Sequence, residues 1–88
     1  MVVLVDVRPS DEHGAGHLPG AVSIPADELE ARIRELPEDE ELVVYCRGRY
    51  CVLAAESIRR LREHGRRATN LYAGVAEWAE HGLPVEGG

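Results

Sequence analysis

The chain has 88 residues, which suits a single small domain with a thin hydrophobic core. Its 16 acidic and 10 basic side chains give a net charge of −6 at pH 7. This acidity argues against non-specific nucleic-acid binding, so we expect no nucleic-acid partner for this domain. No apolar run approaches the ~20 residues that cross a bilayer, and no signal-peptide pattern is present, so we also expect no membrane partner.

The chain contains two cysteines, Cys46 and Cys51, which stand five residues apart. A disulfide across so short a loop constrains little of the unfolded chain, and two thiols without well-placed histidines are too few for a zinc site. We therefore expect a reducing, cytoplasmic setting, no metal, and a catalytic or redox role for these thiols.

The N-terminal part of the chain predicts two short strands. Val2–Asp6 is continuously apolar until its last residue, which is typical of a strand buried on both faces of a parallel sheet. Because this strand begins at the second residue, we expect either a domain cut from a longer protein or an unusually shortened domain. Ser10 is the predicted cap of a short helical turn, residues 14–20 predict a loop, and residues 21–24 predict a second strand that Pro25 ends.

The next two predicted elements are a helix and a third strand. Asp27 is the predicted N-cap of the helix, and Glu30 completes a capping-box pattern. The apolar stripe of this helix is Leu29, Ile33 and Leu36, and Pro37 ends it. Glu41–Tyr45 then predicts the third strand, which leads directly into Cys46.

The C-terminal half predicts further alternation of helices and strands. One apolar helix face contains Ala54, Ala55, Ile58 and Leu61, and Gly65 is the predicted C′ residue. Residues 68–72 predict a weak fourth strand, residues 74–82 a last helix, and residues 83–85 a tail that packs back onto the domain. Strands separated by helices predict an α/β fold with an open, mostly parallel sheet of about four strands flanked by helices.

A thiol at the C-terminal end of the third strand is the main functional signal. Ligands bind at this edge of open α/β sheets, and the next helix presents unpaired N–H groups there. Gly48 lets the loop between Cys46 and Cys51 curl, and successive N–H groups in such a curl form an anion-binding nest. The pattern therefore favours nucleophilic thiol chemistry on an anionic substrate, with Arg47 and Arg49 making the local field positive.

Simpler interpretations accompany these functional ones. An alternative role for Cys46 is that of a buried structural thiol. Cys51 either packs at the start of the helix or attacks a persulfide on Cys46 to form a disulfide. Trp78 is assigned to the core. Surface positions are expected for His13, His64 and His81, and no residues resemble a nucleotide or metal site, so no cofactor is expected.

Three motifs in order resemble the rhodanese-like sulfurtransferases. The first comprises Asp6, Val7, Arg8, Glu12 and residues 16–21, the second is the cysteine loop, and the third comprises Leu71, Gly74, Trp78 and residues 82–85. The resemblance covers residues 2–85 and implies an open, mostly parallel sheet between helices. It implies a sulfane-sulfur donor such as thiosulfate and a thiol or cyanide acceptor.

The resemblance also implies residue roles. Cys46 would be the nucleophile and the carrier of a persulfide. The substrate cradle would be formed by Arg47, Gly48, Arg49, Tyr50, Cys51 and Val52. Structural support near the site would come from Asp6, through an ion pair or bracing hydrogen bonds with Arg8, and from Glu12 and His17, the last bonded to backbone.

Two departures from the family pattern lead to alternatives. Cys51 stands where the family often has arginine, and the family's usual N-terminal strand and helix are missing from residues 1–88. The chain resembles the rhodanese module fused to winged-helix repressors of the arsenic-responsive type, which suggests a fused DNA-binding domain. A redox- or sulfur-sensing module that uses both cysteines is therefore a second hypothesis. An arsenate reductase or phosphatase ranks last, because the loop has the shorter length typical of sulfur transfer.

Overall fold

The computed structural model describes residues 2–46, 52–71 and 86. Its strands are β1 (Val2–Asp6), β2 (Val22–Ser23), β3 (Glu41–Tyr45) and β4 (Ala68–Asn70). Its α-helices are α1 (Ser10–Ala15), α2 (Leu29–Arg32) and α3 (Val52–Glu63), and single 3₁₀ turns at Ala26–Glu28 and Ile33–Glu35 flank α2.

The four strands form one parallel sheet in the order β2-β1-β3-β4. The register pairs Val5 with Val44 across β1 and β3, and Val5 with Val22 across β1 and β2. The expected α/β fold with about four parallel strands is therefore confirmed. In such a sheet the C-terminal ends of all strands meet at one edge, and here that edge includes the residues after Asp6, Ser23 and Tyr45.

The core lies between the sheet and α3, and three of the four residues predicted for the apolar face of this helix are buried. The prediction is wrong for Ala55, which is exposed. Ser57 is buried instead, and its hydroxyl donates to the Leu53 carbonyl at 2.7 Å. Val5, Val44 and Leu42 are fully buried, and α3 packs Ala54, Ile58 and Leu61 against them. Gly65 ends α3 with φ +75°, and the next N–H, that of Arg66, donates to the Leu61 carbonyl at 2.9 Å. This is the Schellman arrangement that a glycine at C′ allows.

The helical segment after β2 differs from the prediction. A single helix capped by Asp27 is wrong, because the segment divides into a 3₁₀ turn, α2 and a second 3₁₀ turn, and no side chain caps it. The N-cap position is Pro25, two residues earlier than predicted, because Ala26 N–H donates to the Val7 carbonyl at 3.0 Å and the Pro25 carbonyl accepts from Glu28 N–H at 2.8 Å.

Smaller corrections concern element ends. Ser10 is the first residue of α1 and not its cap, since the Pro9 carbonyl accepts from the N–H groups of Glu12 and His13. β2 and β4 are shorter than the predicted 21–24 and 68–72. The predicted last helix at 74–82 and the tail at 83–85 lie outside the described residues. None of the helices in the described part of the chain has the length and apolar character to cross a bilayer.

Candidate active site

Cys46 lies directly after β3, one of the two inner strands of the sheet. The Tyr45 carbonyl accepts from Val7 N–H at 3.2 Å, and the Val44 carbonyl accepts from Leu71 N–H at 2.9 Å. The end of β3 is therefore held by hydrogen bonds on both sides. These bonds fix the backbone that presents Cys46 at the edge of the sheet where α/β proteins bind ligands.

The Cys46 side chain is 1% exposed and belongs to the core cluster. Its sulfur is disulfide-bonded in this structure. The chain has one other cysteine, Cys51, which lies outside the described residues. The structure therefore presents Cys46 in an oxidised state, and a reductant must break this bond before the sulfur can act as a nucleophile.

The predicted substrate cradle is described at one residue. Val52 is the first residue of α3 and is 73% exposed. Arg47, Gly48, Arg49, Tyr50 and Cys51 lie outside the described residues, so the anion nest stays a prediction. α3 has 12 residues, and its positive dipole end follows this loop in the chain.

A buried carboxylate, that of Asp6, organises the same edge of the sheet. Its Oδ1 accepts hydrogen bonds from the Arg8 backbone N–H at 3.0 Å and from Arg8 Nε at 2.9 Å. Its Oδ2 accepts from Arg8 Nη2 at 2.7 Å, from His13 Nδ1 at 3.0 Å and from the Tyr45 hydroxyl at 3.2 Å. We call these four residues the Asp6 network.

The protonation states in the Asp6 network follow from burial and pairing. Burial acts to raise the pKa of Asp6, but hydrogen bonds from Arg8 and His13 outweigh it and hold that pKa below its ordinary value of 3.8. Hydrogen bonding to Asp6 raises the pKa of Arg8, with a weaker contribution from Glu12 in α1. Burial raises the pKa of Tyr45 to about 12, so its hydroxyl stays a donor to Asp6 at neutral pH.

The Asp6 network also fixes the loop between α1 and β2. Arg8 Nη2 donates to the Gly16 carbonyl at 2.6 Å, and Leu18 N–H donates to the Tyr45 hydroxyl at 3.1 Å. His17 exchanges two backbone hydrogen bonds of 2.8 Å with Glu86. One charged group thus connects the ends of β1 and β3 to a loop that is remote in sequence.

The two histidines of this region contact each other. The surface position expected for His13 is wrong: its side chain is 17% exposed, and its ring stacks on that of His17 with centroids 3.8 Å apart. His17 Nδ1 donates to the His13 backbone carbonyl at 2.9 Å. His13 bonds inward because the first turn of α1 places it over Asp6.

Sequence reasoning missed two members of the Asp6 network, His13 and Tyr45. For Tyr45 a signal was available, because a tyrosine inside a buried strand needs a partner for its hydroxyl. For His13 no such signal exists.

Within the described ranges 2–46, 52–71 and 86, no group of three or more His, Cys, Asp or Glu side chains is arranged to hold a metal ion.

Replacing Asp6 tests the energetic weight of this network. We expect Asp6→Asn to lower the free energy of unfolding at pH 7 by about 3 kcal/mol, because it leaves the buried Arg8 charge unpaired. Since the folded-state pKa of Asp6 is depressed, its contribution is present above pH 3.8 and is lost as the pH falls below that value. Urea titrations followed by circular dichroism, from pH 7 to acid, measure both effects.

The matched control is Asp39→Asn, which removes an exposed carboxylate in the turn before β3. We expect it to change the free energy of unfolding by less than about 0.5 kcal/mol. Equal acid sensitivity of the parent chain and Asp6→Asn below pH 4 would contradict the assignment of an ionised Asp6.

Comparison with known proteins places this geometry in a family. The model of the rhodanese-like domain matches residues 1–81. The HTH-type transcriptional regulator Rv0324 of Mycobacterium tuberculosis is 51% identical over 87 residues, which are 99% of this chain and 38% of the regulator. A sulfurtransferase of Allochromatium vinosum is 36% identical, covering 96% of this chain and 78% of that protein. The human thiosulfate:glutathione sulfurtransferase is 37% identical, covering 88% and 78%.

Solved structures agree with these relationships. The BH2092 protein of Bacillus halodurans superposes with a TM-score of 0.88 at 28% identity, covering 98% of this chain and 64% of that one. A thiosulfate sulfurtransferase of Pseudomonas aeruginosa superposes with a TM-score of 0.83 at 28% identity, covering 99% and 17%. The chain thus spans 38% of the regulator and 64% of the Bacillus halodurans chain. The match over residues 1–81 and the shared parallel sheet show that this chain belongs to the rhodanese-like domain family.

Proposed function

We propose that this domain transfers sulfane sulfur from a small anionic donor such as thiosulfate to a thiol acceptor through a persulfide on Cys46. The observation that carries the proposal is the place of Cys46, directly after β3 at the edge of the sheet where the Asp6 network fixes the strand ends. The sulfurtransferases of Allochromatium vinosum and human among its relatives support the same activity.

The transfer consists of two displacements on sulfur. The reduced Cys46 thiolate attacks the outer sulfur of thiosulfate, a new S–S bond forms, and the old S–S bond breaks with its electron pair leaving on sulfite. An acceptor thiolate then attacks the outer sulfur of the persulfide, takes it as an acceptor persulfide, and returns Cys46 as a thiolate. The positive end of α3 supports an anion on this sulfur.

Mass spectrometry of the loaded protein tests the proposal. The chain is first reduced, because Cys46 is disulfide-bonded in the structure. After desalting and incubation with thiosulfate, we expect the intact mass to increase by one sulfur atom and sulfite to appear in equal amount. Cys46→Ser removes the gain because it removes the nucleophile, whereas Cys51→Ser keeps it. A gain that persists in Cys46→Ser would overturn the assignment, as would no gain with any sulfane donor.

The disulfide at Cys46 favours a second candidate function, the sensing of sulfur or redox state. In this scheme the Cys51 thiolate attacks the Cys46 sulfur of the persulfide, the Cys46–Cys51 disulfide forms, and the outer sulfur leaves as hydrosulfide. The 51% identity to a transcriptional regulator supports a regulatory setting, and a fused DNA-binding domain in the natural protein remains part of this proposal.

Hydrosulfide release separates the two candidates. If the domain is a sensor, the loaded parent chain without acceptor releases one hydrosulfide per disulfide formed, and loaded Cys51→Ser stays a stable persulfide. If it is a transferase, the loaded parent chain holds its persulfide until an acceptor thiol is added. Rapid loss of sulfur from loaded Cys51→Ser without acceptor would contradict the sensing scheme.

A further inference from the structure

A groove with apolar walls runs beside the edge of the sheet that presents Cys46. Its first part is a cavity of about 290 Å³ whose lining residues are Val7, Pro9, Pro25, Ala26, Asp27 and Leu53. A smaller depression of about 210 Å³ shares the last three of these residues and continues along α3 past Glu56, Ser57 and Arg60. We call the two together the α3 groove.

The α3 groove starts near the C-terminal end of β3. Val7 N–H bonds the Tyr45 carbonyl at 3.2 Å, and Tyr45 precedes Cys46. Val7 and Cys46 belong to one buried cluster, and Leu53 packs against that cluster. The groove therefore starts beside the backbone that leads into Cys46, whose own side chain is 1% exposed.

The rim of the α3 groove is acidic. Asp27 is exposed, and its carboxylate forms no hydrogen bond or ion pair with any other described residue. The one arginine in the groove lining, Arg60, is already paired with Glu30 at 3.0 Å and with Glu56 at 3.4 Å. Among the described lining residues, Asp27 is thus the charge without an opposite partner, and it favours a cation and opposes an anion in the groove.

We propose that the α3 groove is the docking site of the sulfur acceptor, and that this acceptor is a protein segment with a cysteine flanked by basic and apolar residues. The apolar walls fit aliphatic side chains, and Asp27 complements a lysine or arginine beside the cysteine. This inference rests on the proposed function, because the groove selects the thiol that removes sulfur from Cys46. An anionic donor and a cationic acceptor then have different binding surfaces.

Single-turnover discharge of the loaded persulfide tests this inference. The probes are acetyl-Leu-Lys-Cys-Lys-Leu-amide and acetyl-Leu-Glu-Cys-Glu-Leu-amide, and the measured quantity is the ratio of their discharge rates. Comparing this ratio between variants cancels the different intrinsic reactivity of the two thiols. We expect Asp27→Asn to lower the ratio about two- to threefold at low salt, with the difference shrinking at high salt.

Asp39→Asn is the matched control, because it removes the same charge at the opposite edge of the sheet and should leave the ratio unchanged. A lysine peptide with serine in place of leucine should discharge the parent chain more slowly, because the apolar walls lose their contacts. The inference is overturned if Asp27→Asn leaves the ratio unchanged, if Asp39→Asn lowers it equally, or if the serine peptide reacts as fast.

The addition of sulfur to Cys46 is measured first, so that a failure of the proposed function can be distinguished from a failure of the groove assignment. If thiosulfate adds no sulfur to the parent chain, the proposed function fails, and the acceptor assignment falls with it. If loading occurs and the discharge rate does not depend on the charge of the peptide or on its leucines, the groove assignment alone is wrong.

Cysteamine, a small cationic thiol, is a third probe. An equal effect of Asp27→Asn on cysteamine and on the lysine peptide, without any effect of leucine, would overturn the choice of a protein segment.

Discussion

The buried carboxylate of Asp6 is the interaction on which the described site depends. A charge that is fully buried is stable only when its oxygens are bonded, and here Arg8, His13 and Tyr45 supply the donors. These partners come from the loop after β1, from α1 and from the end of β3. Satisfying one carboxylate therefore holds three separate pieces of chain together at the edge of the sheet.

This constraint explains how so small a domain can hold the backbone that leads into Cys46 in a defined place. Tyr45 is both the last residue of β3 and the residue before Cys46, so its hydrogen bonds to Asp6 and from Leu18 limit how the strand can end. The same edge presents the N-terminus of α3 and the α3 groove. In the proposed function, backbone topology and one buried charge bring the cysteine, the donor and the acceptor together.

Features that follow from local sequence patterns could be predicted, whereas features that depend on tertiary contacts could not. The parallel sheet, β1, β3 and most of the buried face of α3 followed from the apolar pattern, and the C′ role of Gly65 from its conformational freedom. The segment at residues 26–35 did not follow, because hydrogen bonds to the residues after β1 decided where its first turn starts. For the site, the position of Cys46 after a strand was predictable. The inward place of His13 was not, because it depends on a partner seven residues away, on another element.

The single-turnover rate of persulfide formation from thiosulfate in the reduced Tyr45→Phe chain tests most directly whether the Asp6 network positions Cys46. The account predicts a rate about tenfold lower than that of the parent chain, because the hydrogen bond to the buried Asp6 carboxylate and the acceptor for Leu18 N–H are both lost. The comparison is made where both chains are fully folded, and Ile58→Val, a core change outside the network, serves as the control for a general loss of stability. A rate unchanged in Tyr45→Phe, or lowered equally in Ile58→Val, would contradict it.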